Sequence, residues 1–451
     1  GLRLGMLQLS LGILGVLTLG LLNRLLIEEI QLPAAVAALA IGAQELMGFS
    51  RAFFGNWSDR LPLGGLRRTP FLLASALALS VLFGGVVWVV LQLAINAQVG
   101  ASVGVLTWVV PLMLLFIAIG VAVSAGGTAF SALVVDLTSE RERTRVLSIV
   151  WSLRLFGVLL GTFLVNALFG SACAVGASGN DVVMGLERLM VVAPPILFLL
   201  GLVAVIGLEN PRQSAGTQRE GRQRLQLSLP QLLKSVFSVP QAKGFMAVMC
   251  LFTFSMFLND AVLEPYGAAV FDMNICATTS LNALLALCFL AGLLISGFQV
   301  VPRIGMVRGS QFGALMASVA LGLMLVAAPD QLQGLLRIAI GLFGFSLGIC
   351  IHSCLNMMFN FVQPGFNAAL LGLWGVGYAY SRGLGTISGG GLLTLLKSIT
   401  GGNVMASYSG VFGLQILLFL IAALLMNRLD VHGFRNRMKV NLGAMLQMVP
   451  D

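Results

Sequence analysis

The sequence contains few charged side chains. Only 10% of its 451 residues are Asp, Glu, Lys or Arg, whereas a soluble domain carries about 25%. This deficit excludes an ordinary soluble protein. Hydrophobic residues make up 58% of the chain, the mean hydropathy is +0.97, and many apolar runs are long enough to cross a bilayer. The sequence therefore predicts a polytopic membrane protein, whose 54 glycines allow the helices to pack closely.

Motifs that carry enzymatic chemistry are also lacking. The chain has two histidines and none of the HExxH, paired-cysteine, Walker or G-x-S-x-G patterns. We therefore expect no enzyme activity, no bound metal ion and no nucleotide-driven pump. The cysteines show no metal-binding spacing, and because most lie inside apolar runs we interpret them as small core residues. They are Cys173, Cys250, Cys276, Cys288, Cys350 and Cys354.

Two further classes of protein are excluded by where residues fall. The net charge is +9, but the basic residues lie in short loops between apolar runs, where they orient a membrane protein. We therefore expect no nucleic-acid partner. We expect no cleavable signal peptide, because the apolar run Leu4–Leu26 is too long and lacks a small-residue exit.

The apolar runs predict twelve transmembrane helices. They cover residues 5–26, 34–54, 70–93, 104–128, 146–169, 190–207, 244–264, 278–301, 311–328, 338–361, 368–395 and 408–426. The longest polar stretch divides them six and six. We predict an N-terminal half at 1–208, a cytoplasmic central loop at 209–243, a C-terminal half at 244–427 and a cytoplasmic tail at 428–451. Two such halves predict an all-α major facilitator fold with a cavity between them.

The distribution of Lys and Arg predicts the orientation of this bundle. Most of them fall on one side of the membrane if both termini are cytoplasmic. Because positively charged loops stay on the cytoplasmic side, we predict that both termini and the central loop lie there, and that helix 7 ends near the outer face.

Charged residues interrupt the apolar sequence at Asn259–Phe271, and a similar pattern occurs at Asn23–Glu28. A charge in a membrane segment costs a few kcal/mol, so it needs a role. Pro265 disfavours regular helix at the preceding residue. Helix 7 is therefore predicted to end or break at Glu264, with Tyr266 at the membrane interface.

Two interpretations of these stretches stay open. They are either ordinary acidic helix ends on the outer side or a polar site between the halves. Arg24 is expected to neutralise Glu28 or Asp260, since buried charges need partners. His352, in helix 10, is either a ligand or a hydrogen-bonded packing residue. The candidate site residues are Asn23, Arg24, Glu28, Asn259, Asp260, Glu264, Tyr266 and His352.

Three more charges lie deep in helices 2, 5 and 11: Glu45, Arg154 and Arg382. Helices 2 and 11 pack together across the interface between halves in this architecture. Glu45 and Arg382 are therefore predicted to form an ion pair, either as part of a site or as a structural lock.

The connection between helices 2 and 3 resembles the major facilitator signature, a Gly-x-x-x-Asp followed by basic residues. The resemblance implies a cytoplasmic charge cluster that favours one conformation, and the alternative is a solvated loop that only obeys the positive-inside rule. The residues of the predicted cluster are Gly55, Asp59, Arg60, Arg67, Arg68, Asp136 and Arg141.

Several stretches together resemble one family, the bacteriochlorophyll and chlorophyll delivery branch of the major facilitator superfamily, of the PucC and LhaA type, in its cyanobacterial form. The most specific is Leu-Glu-Pro-Tyr-Gly at 263–267. The matching stretches are Leu22–Glu29, Ser58–Pro70, Ser148–Trp151, Leu186–Met190, Asp260–Gly267, Val301–Gly305 and Gly372–Gly375.

The resemblance implies a non-enzymatic factor that delivers chlorophyll or bacteriochlorophyll to light-harvesting or photosystem apoproteins in a thylakoid or intracytoplasmic membrane. Carotenoid is a further candidate cargo, and membrane lipids and photosystem subunits are the implied partners. His352, an asparagine, a charge-neutralised Glu or water are the candidate ligands of the pigment magnesium. The alternatives are a proton-coupled transporter of a small organic solute, in which Asp260 and Glu264 titrate, and a permanent subunit of a photosynthetic complex.

Overall fold

The structure, a computed structural model, describes residues 2–51, 53, 54, 66, 68–98, 102–138, 140–174, 178–208, 240–361 and 367–428. Its helices follow one another in two sets of six. The N-terminal half contains α1 (Leu2–Glu29), α2 (Ala34–Leu46), α3 (Thr69–Gln98), α4 (Ser102–Leu137), α5 (Glu140–Leu168) and α6 (Gly179–Val205). The C-terminal half contains α7a (Pro240–Phe257), α7b (Leu263–Phe271), α8 (Ile275–Ile304), α9 (Met306–Ala327), α10 (Gln333–Phe361), α11 (Asn367–Ile399) and α12 (Val404–Met426).

The helices are apolar on their outward faces as well as in the core. Within the described residues, nine are long and apolar enough to cross a membrane. Large apolar side chains such as Phe163 and Phe298 are 71% and 81% exposed. A helix that is hydrophobic all round is stable when it is surrounded by protein or lipid. The chain is therefore an integral membrane protein.

Helix α6 begins eleven residues before the predicted start, at Gly179 and not at residue 190. A capping box fixes this start, because both the backbone N–H and the hydroxyl of Ser178 donate to Asp181, at 2.7 and 2.8 Å. The charged pair Glu187 and Arg188 is exposed on the first turns of the helix. The predicted boundary is wrong because hydropathy alone stops at those charges.

The break in helix 7 also differs from its predicted place. The helix is interrupted at residues 258–262, and Glu264 and Pro265 lie in the first turn of α7b. Proline is tolerated there because the first backbone N–H groups of a helix have no intrahelical acceptor. Pro265 therefore starts the second segment and does not end the first.

Helices α1 and α8 contain π-helical turns, at Val16–Leu22 and Leu25–Glu29 in α1 and at Ser296–Val300 in α8. Such turns re-aim side chains and are frequent at functional sites. Both helices lie at the boundary between the two halves, where α1 contacts α8 and α7b.

Glycines set how closely the helices approach. A Cβ on Gly12 of α1 would lie 2.1 Å from the carbonyl oxygen of Arg154 in α5. Between the halves, a Cβ on Gly390 of α11 would lie 2.4 Å from the carbonyl oxygen of Ala34 in α2. The glycines of α11 thus form a packing surface against α2.

One end of the bundle carries a disulfide between Cys173, after α5, and Cys276, in the first turn of α8. We call this end the disulfide face; α2, α6, α8 and α12 begin there, and it is the predicted outer side. The interpretation of the cysteines as core residues is wrong for this pair, because Cys173 lies in the connection after α5 and Cys276 lies at the very start of α8. The other four cysteines are free and lie in helices.

Candidate functional site

A buried polar cluster joins the halves between the disulfide face and the middle of the bundle. It brings together Asn23 and Arg24 of α1 with Asn259 and Glu264 of the helix 7 break, and all four are at least 95% buried. The Asn23 side-chain amide donates to the carbonyl oxygen of Ala261 at 3.1 Å. The two stretches that the sequence pairs by pattern therefore meet in space.

Arg24 contacts a different acid from those predicted. Its guanidinium forms an ion pair with Glu29 at 3.0 Å and donates to the carbonyl oxygen of Met273 at 3.3 Å. Glu28 lies one residue earlier on the π-helical turn, and Asp260 belongs to another group of charges, described below. Arg24 also interacts electrostatically with Glu28, as predicted, but its ion pair in direct contact is with Glu29 because the turn presents that residue to the arginine. The alternative of Arg24 with Asp260 is wrong.

Glu264 has an amide partner that the sequence did not identify. Asn282 of α8 donates to its Oε1 atom. Gly20 of α1 makes room for this pair, since a Cβ there would lie 2.4 Å from the same oxygen. The only sequence signal for Asn282 is an amide side chain within the apolar run of α8.

Three buried oxygens of the cluster have no hydrogen-bond donor among the described residues: Oδ1 of Asn23, Oδ1 of Asn259 and Oε2 of Glu264. Buried polar atoms are normally paired. The cluster thus has spare acceptor capacity where α1 meets the break in helix 7.

Tyr266 does not lie at a membrane interface. It is 1% exposed, its hydroxyl donates to the carbonyl oxygen of Met324 at 2.7 Å, and its ring packs edge-to-face on Phe412. It anchors α7b in the C-terminal half. The prediction is wrong because the helix starts at Leu263 and turns this ring inward.

Nearer the middle, Glu45 of α2 and Arg382 of α11 form an ion pair across the interface at 3.4 Å. The Arg382 guanidinium also lies 4.7 Å from the ring centre of Phe257. Asp260 interacts electrostatically with both partners. Asp260 therefore belongs to this central charge group.

Arg154 of α5 faces the same central group and interacts electrostatically with Arg382 and Glu45. Its guanidinium donates to Oε1 of Gln8 at 3.1 Å and lies 5.7 Å from the ring of Trp151. Among the described residues no carboxylate lies within ion-pair distance of it. Arg154 is half-buried, and Gln8 is its hydrogen-bond acceptor.

His352 of α10 lies apart from both groups. Its ring contacts the Ser296 hydroxyl at 3.1 Å and the Asn356 amide at 3.0 Å. Gly297, on the π-helical turn of α8, leaves room for the ring. The histidine is thus held in a hydrogen-bonded packing contact between α8 and α10.

An apolar cavity of about 480 Å³ lies at the seam between the halves. We call it the lateral cavity, because partly exposed side chains such as Phe156 and Leu287 border it. Every lining residue except Ser152 is apolar. The lining residues are Leu2, Ile149, Ser152, Leu153, Leu155, Phe156, Leu159, Ala286, Leu287 and Leu290. His352 does not reach it, because α10 packs on the side of α8 that carries Gly292 and Ser296.

The predicted cytoplasmic charge cluster cannot be assembled from the described side chains. Gly55, Asp59, Arg60 and Arg67 lie outside the described residues, as do the side chains of Asp136 and Arg141. Arg68 is described, and it is buried just before α3. Within the described residues, no group of three His, Cys, Asp or Glu side chains is arranged to hold a metal ion.

A family model described as PUCC protein matches residues 21–434. The chain belongs to the PucC family. It is 28% identical over 441 residues to the "bacteriochlorophyll synthase 44.5 kDa chain" of Rhodobacter capsulatus, a match that covers 94% of this chain and 93% of that protein. It is 26% identical to "Protein PucC" of Rhodobacter capsulatus, over 93% of this chain and 90% of that one. The resemblance to the PucC family inferred from the sequence is confirmed.

Solved structures confirm the major facilitator fold for this PucC-family chain. The crystal structure of a D-xylose–proton symporter matches with a TM-score of 0.69 and 15% identity, over 96% of this chain and 97% of that one. A bacterial homologue of the human lysosomal transporter Spinster, inward-facing and occupied, matches with a TM-score of 0.68 and 13% identity, over 95% and 96%. At such identities the likeness shows the fold alone.

Proposed function

We propose that the protein is a non-enzymatic carrier that binds chlorophyll or bacteriochlorophyll within the membrane and delivers it to light-harvesting or photosystem apoproteins. The lateral cavity is the observation that carries this proposal. Its lining is apolar and it lies at the lipid-facing seam of α1, α5 and α8. A sugar or another small polar solute would leave its own polar groups unpaired there. The apolar chain of a pigment would leave no polar group unpaired there.

The apolar lining of the cavity favours reversible binding of a pigment over permanent storage. Lipid chains are as apolar as the cavity wall, so moving a pigment chain from lipid into the cavity gains no hydrophobic energy. Binding therefore depends on packing contacts, each only about 0.1–0.2 kcal/mol per atom pair, and on the pigment's polar groups. A carrier with this balance holds its cargo reversibly.

A polar atom for the pigment head is available in the cavity wall. Ser152 contributes a hydroxyl to the lining, whereas Arg154, two residues along α5, turns toward the central charge group. We propose that the Ser152 hydroxyl, or a water that it holds, meets the magnesium ligand position of the macrocycle. The family relationship supports the choice of pigment, since one relative carries bacteriochlorophyll in its name.

We further propose that the protein resides in a photosynthetic membrane with both termini in the cytoplasm. The disulfide supports this orientation, because such bonds persist in oxidising compartments outside the cytoplasm. The disulfide face is then the outer face, which is also the side that the distribution of basic residues assigns to it.

A proton-coupled transporter of an organic solute is the second candidate. The central group of Glu45, Asp260 and Arg382 favours it, because membrane-buried ionisable residues commonly mark ion or proton pathways. Purification in dodecyl maltoside followed by absorption spectroscopy separates the two. Co-purified pigment and light-harvesting subunits support delivery, whereas colourless protein that transports a solute in liposomes would refute it. A stoichiometric complex that survives mild purification would instead indicate a permanent subunit.

The lateral cavity itself is tested by Leu290→Trp, which fills it, with Leu315→Trp on the exposed face of α9 as the matched control. We expect the cavity variant to lose most of its bound pigment at unchanged protein level, and the control to keep it. Equal pigment in both variants would place the cargo elsewhere.

A further inference from the structure

The disulfide joins the two halves of the molecule. Cys173 follows α5 in the N-terminal half, and Cys276 lies on α8 in the C-terminal half, 103 residues later. Their Cα atoms are 5.7 Å apart, and a disulfide keeps such atoms within about 7 Å. The side-chain amide of Asn274 also donates to the carbonyl oxygen of Cys173 at 2.8 Å. This point of contact is therefore fixed while the bond is intact.

Besides helix packing, the halves are joined near the disulfide face by hydrogen bonds. Asn23 and Arg24 donate to backbone carbonyls of the helix 7 region, and the Ala35 N–H donates to the Thr394 hydroxyl at 2.8 Å. A single hydrogen bond contributes little net free energy because water competes for both partners, so a change of conformation can break these contacts. Among the described residues, the disulfide is the covalent contact between the halves near this face.

In this fold, alternating access requires one half to rock against the other so that each face opens in turn. We propose that the disulfide is a clasp that holds the outer face closed, so that the protein exchanges cargo only through the lateral seam or the opposite face. The protein is then a one-sided carrier, and it cannot alternate while the clasp is oxidised. This inference does not depend on the identity of the cargo.

The clasp opens and closes by thiol–disulfide exchange. An external dithiol gives two electrons and two protons to the Cys173–Cys276 bond, which becomes two thiols while the dithiol becomes a disulfide. The reverse exchange with an external disulfide closes the clasp. The redox state of the compartment beyond the outer face therefore sets whether that face is able to open.

The bond is tested in the full chain by inserting a protease site in residues 209–239, which connect the halves. After cleavage without reductant, we expect the two halves to run as one band on a denaturing gel, and to separate after dithiothreitol. The variant Cys173→Ser with Cys276→Ser is the control and should separate without reductant. Halves of the parent protein that separate before reduction would overturn the proposal.

The closure is tested by pulsed electron paramagnetic resonance between spin labels at Asn180 and Asp330, two exposed positions on the disulfide face. The four free cysteines are first replaced. With the clasp intact we expect one narrow distance distribution, and with both clasp cysteines changed to serine a second, longer population. An identical narrow distribution in the serine variant would refute the role of the bond. If that variant does not fold, the gel assay on the parent chain still decides whether the halves are joined.

Discussion

The ion pair between Glu45 and Arg382 allows a quantitative test of how the halves are held together. Glu45→Gln leaves Arg382 with the Phe257 ring and the charge of Asp260 as its partners, and Arg382→Gln leaves Glu45 without a cation in contact among the described residues. Removing one member of a wholly buried pair costs about 3–5 kcal/mol. Here the side chains are 21% and 17% exposed, so water offsets part of the loss and we expect about 2–3 kcal/mol for each single variant.

The two single variants are not equivalent. Arg382→Gln also removes the contact with Phe257, worth about 1–2 kcal/mol when desolvated, so it should be the more damaging. The double variant removes both charges and leaves two amides that can hydrogen-bond to each other. It should therefore be less damaging than Arg382→Gln alone.

Thermal unfolding in dodecyl maltoside, followed by intrinsic fluorescence, measures these differences. Glu187→Gln, at an exposed position of α6, is the matched charge-removal control and should change stability by less than about 0.5 kcal/mol. If the double variant is no more stable than the worse single variant, Glu45 and Arg382 do not act as a pair and the reasoning fails.

Two further predictions concern the cluster at the helix 7 break. Gly20→Ala should displace the Glu264 carboxylate and lower the free energy of unfolding by about 2 kcal/mol or more. The control Gly15→Ala, with no atom within 4 Å of the new methyl, should leave stability unchanged or raise it by up to about 1 kcal/mol. Equal thermal stability of the two variants would contradict the geometry. Tyr266→Phe removes the donor to Met324 and should cost about 1 kcal/mol in the same assay; an unchanged unfolding temperature would mean that the hydroxyl does not anchor α7b.

The fold was predictable because each membrane-spanning helix can be recognised from its own stretch of sequence. Apolar length, basic loops and the polar stretch after residue 208 are local properties of the chain. The Glu45–Arg382 pair was predictable for a related reason, since the fold dictates that α2 packs on α11. Boundaries were less predictable, and α6 shows why: its capping box extends the helix beyond the apolar region.

The rest of the site depends on side chains that meet only in three dimensions. Asn282 reaches Glu264 because a π-helical turn and a glycine in α1 leave room for both. Arg24 selects Glu29 because the same helix ends in a second π-helical turn. The Cys173–Cys276 pair joins the connection after α5 to the first turn of α8 in the other half, and no spacing rule in one sequence reports such a pairing. These features follow from local backbone geometry that hydropathy does not encode.

The buried charges and the lateral cavity lie in different parts of the bundle, which suggests different roles for them. A water-soluble substrate must cross between faces, so a transporter places its binding site on the path that opens to each side in turn. A pigment is already dissolved in the lipid and needs a lateral entrance, which the apolar cavity beside α5 and α8 provides. The buried charges lie instead between α2, α7 and α11, where a charge without a role would be costly. They are therefore best understood as groups that set how the halves meet, and the lateral cavity is the proposed place for the cargo.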